Sequence, residues 1–397
     1  MPQASLDDME FFVDGSTVGG AFRLSDAARD TATEIIDDWT VEVRAGSRVV
    51  VARGKGGASY DEARDNALDA ANRALDFICL SGARPLAIRD TATEHIVWWS
   101  QGAQSVVRLL SVPTLTLHVG AVTVTGGKPV VPLPPEWQAS ARYFRLSQLT
   151  DDLFDSFRNL YLALESILDH LAPQRAGEGE GKWLRRALTE AGKVVYLGGH
   201  APKDAPDPVE ALYDELYRST RNQIFHAKTT RAHLLPHNSP ARNAVEETAR
   251  RAAYFYLALA EKVIHLRPPG SGVFAGFWQM QVDALAPRLG IAATNDLAPF
   301  SADDVVINPS GGELVALCVS RALELDRPFE HAFLGVAPGS AIAKLGQVTR
   351  ICSTVGGEPL SAGIPEGTLL ISDIDRFEAL VVLRGRNANG PKRDFAS

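Results

Sequence analysis

The strongest regular pattern in the chain lies between Thr150 and Pro173, where Leu153, Phe157, Leu160, Leu164, Ile167, Leu168 and Leu171 recur every three or four residues. An α-helix turns about 100° per residue, so this spacing draws one wide apolar stripe along a single helix, and such a stripe has to be covered by other elements. Thr150 reads as the N-cap, with Asp151 and Asp152 in the first turn where the helix dipole favours negative charge, and Pro173 follows the end of the helix. Helical periods return at Lys182 to Lys193, through Trp183, Leu184 and Leu188, and from Val209 to Lys228. A further helix, with Pro240 near its start, runs through Val245, Ala252, Tyr256, Leu259, Val263 and Leu266 and stops at Pro268-Pro269-Gly270. Four such helices closing on one another predict a bundle. The loops between them are Gly/Glu-rich at Gln174 to Gly181, Pro-rich at Gly198 to Pro208, and polar at Thr229 to Ser239.

At 397 residues the chain exceeds one ordinary core. The expected class is a multidomain α+β protein: a central all-α bundle over 146–267, an α+β domain before it over 1–143, a small mixed α/β domain after it over 271–385, and a disordered tail over 386–397. In the first segment Trp39 to Val43 and Arg48 to Ala52 read as a hairpin, Tyr60 to Leu80 as a helix, and Glu94 to Trp99, Ser105 to Leu110 and Thr114 to Thr125 as strands. Trp98 and Trp99, being adjacent in a strand, face opposite sides, one towards the core and one towards solvent. Val130 to Trp137, with its prolines, reads as a linker. In the last segment Phe274 to Leu285 is followed by alternating strand-like and helix-like runs at Val305 to Ile307, Glu313 to Leu323, His331 to Leu334, Val348 to Cys352, Thr368 to Ile371 and Leu380 to Leu383.

Several function classes drop out on composition and pattern. The 40 basic and 48 acidic residues give a net charge of −8, so any contact with nucleic acid has to come from a local patch. Cys79, Cys318 and Cys352 are scattered without a CxxC spacing, which argues against a disulfide framework or a cysteine zinc site. No apolar run approaches the roughly 18 residues of a membrane span, and the N-terminus lacks the order of a signal peptide, so a cytoplasmic location without membrane contact is expected. The glycines at 54, 56 and 57 lack the GxxxxGK[ST] pattern of a phosphate loop, and Ser372-Asp373-Ile374-Asp375 lacks the upstream Gly-Ser element of a nucleotidyltransferase.

The patch that stands out is Leu216 to Lys228, LYRSTRNQIFHAK. From Arg218 through Val245 there is no Asp or Glu, while Arg218, Arg221, Lys228, Arg231 and Arg242 are cationic and His226, His233 and His237 can become so. On an ideal helix Tyr213, Tyr217, Thr220 and Ile224 form the core stripe, and Arg218, Asn222 and His226 line the opposite side. Arg221 diverges from His226 by about 140°. Either the helix is irregular there, or a second copy of it completes the group. An arginine fork matches phosphate oxygens, and histidine moves protons near neutral pH. These are the groups that cleavage of RNA needs, because the 2′-OH of RNA is its own nucleophile. His226 can take the 2′-OH proton or protonate the leaving 5′ oxygen, Arg221 neutralises the phosphorane, and Asn222 orients the imidazole or holds a phosphate oxygen. Cationic neighbours disfavour charged His226 and leave it available as a base. Arg218, Lys228 and Arg231 are the candidate phosphate contacts. Upstream, Glu165 and Arg158 share a helix flank, and Glu165 is placed to hold Arg221 or His226. A His226–His233–His237 metal site is disfavoured by its spacing across a helix end and a loop.

The run Arg221-Asn222-Gln223-Ile224-Phe225-His226 resembles the Arg-polar-x3-His signature of the HEPN superfamily of helical-bundle nucleases, and the upstream FRNLYLALESILDHL, with Glu165, resembles the first long helix of its Apea-like members. The resemblance covers Leu146 to Leu266. It implies a metal-independent endoribonuclease without cofactor, with Arg221 and His226 catalytic, Asn222 as the polar second position, and a homodimer whose paired helices form one composite site. Members of that group act in defence and toxin-type regulation, with an activator or antitoxin as partner. Some have lost activity, so the alternative is a non-catalytic binding module in which Arg221 and His226 are structural.

Overall fold

Two strands separated by 270 positions decide the architecture. Gln104–Ser111 and Arg376–Asn387 lie side by side and parallel, from Val106 opposite Arg376 to Ser111 opposite Val381. Asp375 fixes the register: its Oδ2 accepts from the backbone N–H and the hydroxyl of Ser105, both at 2.8 Å, while its own N–H donates to Ser105 Oγ at 3.0 Å. Arg108 and Glu378, opposite one another in the ladder, form a buried ion pair at 2.6 Å. These contacts come from a computed structural model that describes residues 2–56, 59–82, 85–89, 91, 93–118, 133–225, 234, 239–266 (239 and 240 by backbone only), 272–298, 306–363, 365–388, 390–392 and 395.

Around this pair a sheet of 14 strands is assembled by both ends of the chain. Its order is Glu358–Gly363, Arg350–Val355, Leu289–Thr294, Leu314–Arg321, Glu330–Pro338, Arg376–Asn387, Gln104–Ser111, Glu94–Gln101, Val18–Leu24, Val49–Gly54, Trp39–Val43 and Ala32–Ile36, with Thr114–Leu117 beside Arg376–Asn387 and Ile88–Arg89 beside Val18–Leu24. A smaller sheet joins Gln347–Val348, Leu369–Asp373, Gln3–Leu6 and Met9–Glu10. Trp98 and Trp99 are both buried, at 0% and 4% exposure, contrary to the expectation of one core and one exposed ring, because this part of the sheet is covered on both faces. On one face Trp98 stacks flat on Phe11, centroids 4.0 Å apart. A Cβ on Gly19, its cross-strand neighbour, would lie 2.1 Å from the Trp98 ring. On the other face Trp99 packs with Tyr60, which begins the helix Tyr60–Gly82, and the Arg108 guanidinium sits over both rings. Tyr60 donates its hydroxyl proton to His95 Nε2 at 2.6 Å, since His95 Nδ1 is taken by the Thr91 carbonyl at 2.8 Å, and burial holds His95 down to about 4.

A second unit, 119–272 with 389–395, has its own core. Its described elements are the helices Ala139–Leu149, Leu153–Leu171 and Glu180–Ala191, a helical run over 208–225, and Ser239–Val263. The stripe from Leu153 to Leu168 is buried as its periodicity requires, against Trp183, Leu188, Leu212, Tyr256 and Leu259. Asp152 rather than Thr150 caps the Leu153–Leu171 helix, accepting from the Asp155 N–H at 2.7 Å. At the other end of that helix Trp183 Nε1 donates to the Ala172 carbonyl at 2.9 Å. The stretch expected as a disordered tail is engaged where it is described: Asn387 ends the long strand, and Lys392 donates through its backbone N–H to Gln148 Oε1 and through Nζ to the Thr150 carbonyl.

This architecture overturns the expected one. The chain is not a central all-α bundle flanked by an N-terminal α+β domain and a C-terminal mixed α/β domain. It is a mixed protein with 39% helix and 31% strand, in which the flanks are one body built on a common 14-stranded sheet and helices are distributed over both units. The cause of the error is physical: parallel pairing needs no turn between its strands, so no local signal marks Gln104–Ser111 and Arg376–Asn387 as partners. Parts of several expected elements lie outside the described residues, namely the later half of Thr114 to Thr125, the first residues of the linker, Val305, and the stop at Pro268-Pro269-Gly270.

Because Trp98 is fully buried and fills the space opposite Gly19, Trp98→Ala is expected to destabilise the first unit by about 3–5 kcal/mol, and Gly19→Ala by about 1–3 kcal/mol through forced displacement of the ring. Both values are read from denaturant midpoints at unchanged m. A Trp98→Ala loss below 1 kcal/mol would contradict the packing described.

Candidate active site around Arg221

The helix that carries the basic run begins conventionally. Asp207 caps it, accepting from the Val209 and Glu210 N–H groups at 2.9 and 3.2 Å, and Pro208 occupies the first turn, where no amide donor is required. After Pro208–Tyr213 the winding changes: Asp214–Arg221 is π-helical, with i→i+5 bonding, and Asn222–Phe225 returns to α. Of the two explanations that the sequence left for the displaced Arg221, an irregular helix is present. The buried positions are Leu212, Leu216, Thr220 and Ile224, a spacing of four. In an α-helix each such step overshoots a full turn by about 40° and the stripe drifts off the core, whereas the wider π turn keeps it in line. Tyr213 joins the core beside that line, and Tyr217, expected in the core stripe, is half-buried and stacks on Tyr213 at 5.3 Å.

The facing element is Glu180–Ala191. Gly181 lets the two helices approach closely, because a Cβ there would lie 2.8 Å from the Tyr213 hydroxyl. Arg185 lies 3.6 Å above the Tyr213 ring and is paired with Glu210 at 2.5 Å. One helical turn along, Glu180 takes the Tyr217 hydroxyl on Oε2 at 3.1 Å and lies with Oε1 3.2 Å from Arg221 Nη2. On the other side of the π stretch Glu215 is held by Arg251 and by the Thr248 hydroxyl.

Arg221 is therefore enclosed. Its side chain is 21% exposed, its Nη1 donates to Asn222 Oδ1 at 3.0 Å, and the rings of Phe225, Tyr217 and Tyr161 surround the guanidinium at 5.2, 5.4 and 5.8 Å. Three polar atoms here are buried and without a hydrogen-bond partner among the described residues: Arg221 Nε, Glu180 Oε1 and the Tyr161 hydroxyl. The Arg221–Glu180 contact is thus an ion pair without hydrogen-bond alignment. Native interiors rarely tolerate such orphans, so a cluster of them around one arginine calls for an explanation. Burial, then the charge of Glu180, pushes the Glu165 carboxyl up, with Arg221 acting the other way. Burial and the same two carboxylates raise Tyr161 strongly.

Of the residues read from sequence, Arg221, Asn222 and Glu165 come together here. Arg158 reaches the rim, 5.9 Å over Phe225, but its ion pair is with Asp155 and not with Glu165. Arg218 points away, 61% exposed, paired with Asp214 and lying over Tyr213. His226, Lys228 and Arg231, with His233 and His237, lie outside the described residues. The residues that sequence reading missed are Tyr161 and Glu180. Tyr161 lies one turn before Glu165 and was legible as a polar tip on the edge of the apolar stripe. Glu180 falls in the stretch that reads as a Gly/Glu-rich loop, whereas Glu178 binds Arg186 and the Arg175 N–H and so fixes the start of the following helix.

A separate cleft of about 270 Å³ in the first unit is lined by Asp296, Thr349, Arg350 and Thr368. Asp296 there closes its own loop, accepting from the Ser310 hydroxyl and from the N–H groups of Ala298 and Ser310, and these bonds hold its carboxyl far below the usual range. Among the described residues no helix is long and apolar enough to cross a membrane. No family model matches this chain, and comparison with curated proteins and with solved structures likewise finds no match.

The raised carboxyl of Glu165 has a measurable consequence. A folded-state value above the unfolded one, near 4.5, contributes stability at low pH that is lost as pH rises through the folded value. Glu165→Gln is therefore expected to melt above wild type at pH 7, with the difference shrinking towards pH 4.5. A variant that melts below wild type at pH 7 would show Arg221 attraction outweighing burial.

Proposed function

We propose that this chain is a metal-independent endoribonuclease of the HEPN type, cutting RNA by attack of the substrate's own 2′-OH, with Arg221 and His226 as the acting pair. The observation that carries this reading is the state of Arg221: half-enclosed, held to Asn222, with its Nε–H buried and without a partner among the described residues. A guanidinium with one aligned hydrogen bond among the described residues and 21% of its side chain still exposed is suited to meet a phosphate oxygen at that exposed part. His226 follows Asn222 by four positions in the sequence, the spacing of one turn of an ideal helix. In the reaction the 2′ oxygen bonds to phosphorus as its proton passes to a base. Arg221 neutralises the phosphorane, and the 5′ oxygen leaves after taking a proton. The products are a 2′,3′-cyclic phosphate and a 5′-OH, with His226 serving at one of the two proton steps.

In this reading two copies pair through the helical unit to complete the site, Arg218, Lys228 and Arg231 contact the RNA backbone, and an activator or antitoxin controls the enzyme in the cytoplasm. A second reading is favoured by one observation: Glu180 already neutralises Arg221 within the chain. In that case the helical unit is a non-catalytic interaction module and Arg221 is structural.

Incubation with labelled RNA in EDTA separates the two. Cleavage to cyclic phosphate ends, reduced about 10²-fold or more in Arg221→Ala and His226→Ala, is the expected outcome. Cleavage that persists in both variants would trace the activity elsewhere. A wild type that neither cuts nor binds RNA, together with a large loss of thermal stability in Arg221→Ala, would leave the second reading.

A further inference from the structure

We propose that Glu180, backed by Tyr217, is the positioning residue of Arg221, an assignment that rests on the nuclease reading for its catalytic meaning. Among the described residues Arg221 has a single aligned hydrogen bond, to the side chain next to it in sequence, and that contact alone leaves the guanidinium free to swing. The remaining constraint comes from across the helix interface. Glu180 Oε1 stands 3.2 Å from Nη2, and Glu180 is itself fixed from behind by the Tyr217 hydroxyl on Oε2.

What holds Glu180 among the described residues belongs to helices. It is the first residue of the Glu180–Ala191 helix, whose approach depends on the missing Cβ of Gly181 against Tyr213 and whose start is pinned by Glu178 and by the Trp183 bond to Ala172. Tyr217 lies in the π-helical stretch, one turn before Arg221, so the same stretch supplies both the arginine and the hydroxyl that steadies its partner. The geometry withholds full hydrogen bonding: Oε1 and Nε stay unpaired. Glu180 therefore sets the direction of the fork from its Nη2 side without forming the aligned bidentate pair that would tie it down fully. Glu165 is a weaker candidate for the same task, since its carboxyl is pushed towards the neutral form by burial and by Glu180.

The test uses the full chain as Glu180→Ala, Glu180→Gln and Tyr217→Phe, with two readouts. The first is the NMR signal of the Arg221 guanidinium, assigned by its loss in Arg221→Lys: restricted rotation in wild type, released in Glu180→Ala and partly released in Tyr217→Phe, is expected. The second is cleavage of labelled RNA: kcat lowered about tenfold or more in Glu180→Ala with KM unchanged or lower, because a negative charge beside the phosphate has gone, and a smaller kcat loss in Glu180→Gln. A merely structural role would lower the folded fraction without this split. Free rotation of the guanidinium in wild type, or restriction unchanged in Glu180→Ala, overturns the proposal. If Glu180 restricts Arg221 while wild type neither binds nor cuts RNA, the positioning contact stands and the nuclease reading is the one that fails.

Discussion

Parallel pairing between Gln104–Ser111 and Arg376–Asn387 is the constraint on which the larger unit depends. Without it the strands from 18 to 111 and those from 289 to 363 would be two partial sheets, each with an open edge of unpaired amides and carbonyls. The junction is made secure by polar groups as well as by the ladder. Asp375 closes on Ser105 at one end, and Arg108 and Glu378 face each other within it, with Arg376 as a second cation on Glu378. A buried pair of this kind contributes more to register than to net stability, since desolvation offsets much of its attraction. A slip by one residue would take Arg108 away from Glu378, which would keep only Arg376 from its own strand.

In the helical unit the organising problem is the opposite one, a single cation drawn in among rings. Arg221 gains from three aromatic faces and from Glu180, yet its hydrogen bonding is incomplete. Glu180 offsets the guanidinium charge, while burial and Glu180 push the Glu165 carboxyl towards its neutral form.

Local periodicity was legible and distant pairing was not. The hairpin of Trp39–Val43 with Val49–Gly54, the helix Tyr60–Gly82 and the helix Leu153–Leu171 all follow from patterns a few residues long. The strands Gln3–Leu6 and Met9–Glu10 are too short to show a period, and Val18–Leu24 contains two glycines where a strand formula expects branched residues, yet Gly19 is there to admit Trp98. Burial of Trp99 depends on a helix that covers the second face, which no feature of the dipeptide reveals. At the site, Arg221, Asn222 and Glu165 were found because their types and spacing suit one chemistry. Glu180 escaped because its partner is 41 positions away in a different helix and its own surroundings in sequence resemble a loop.

The π-helical stretch has one more implication. Winding with i→i+5 bonds accommodates about one residue beyond what an α-helix uses for the same rotation, so the segments before Asp214 and after Arg221 face the core as they would without the surplus. Scaffold and chemistry are thereby uncoupled at this point. A chain shorter by one residue here would still close the same interior, but a different side chain would stand opposite Glu180, and two proteins with matching helices could share the framework and differ entirely in what it does.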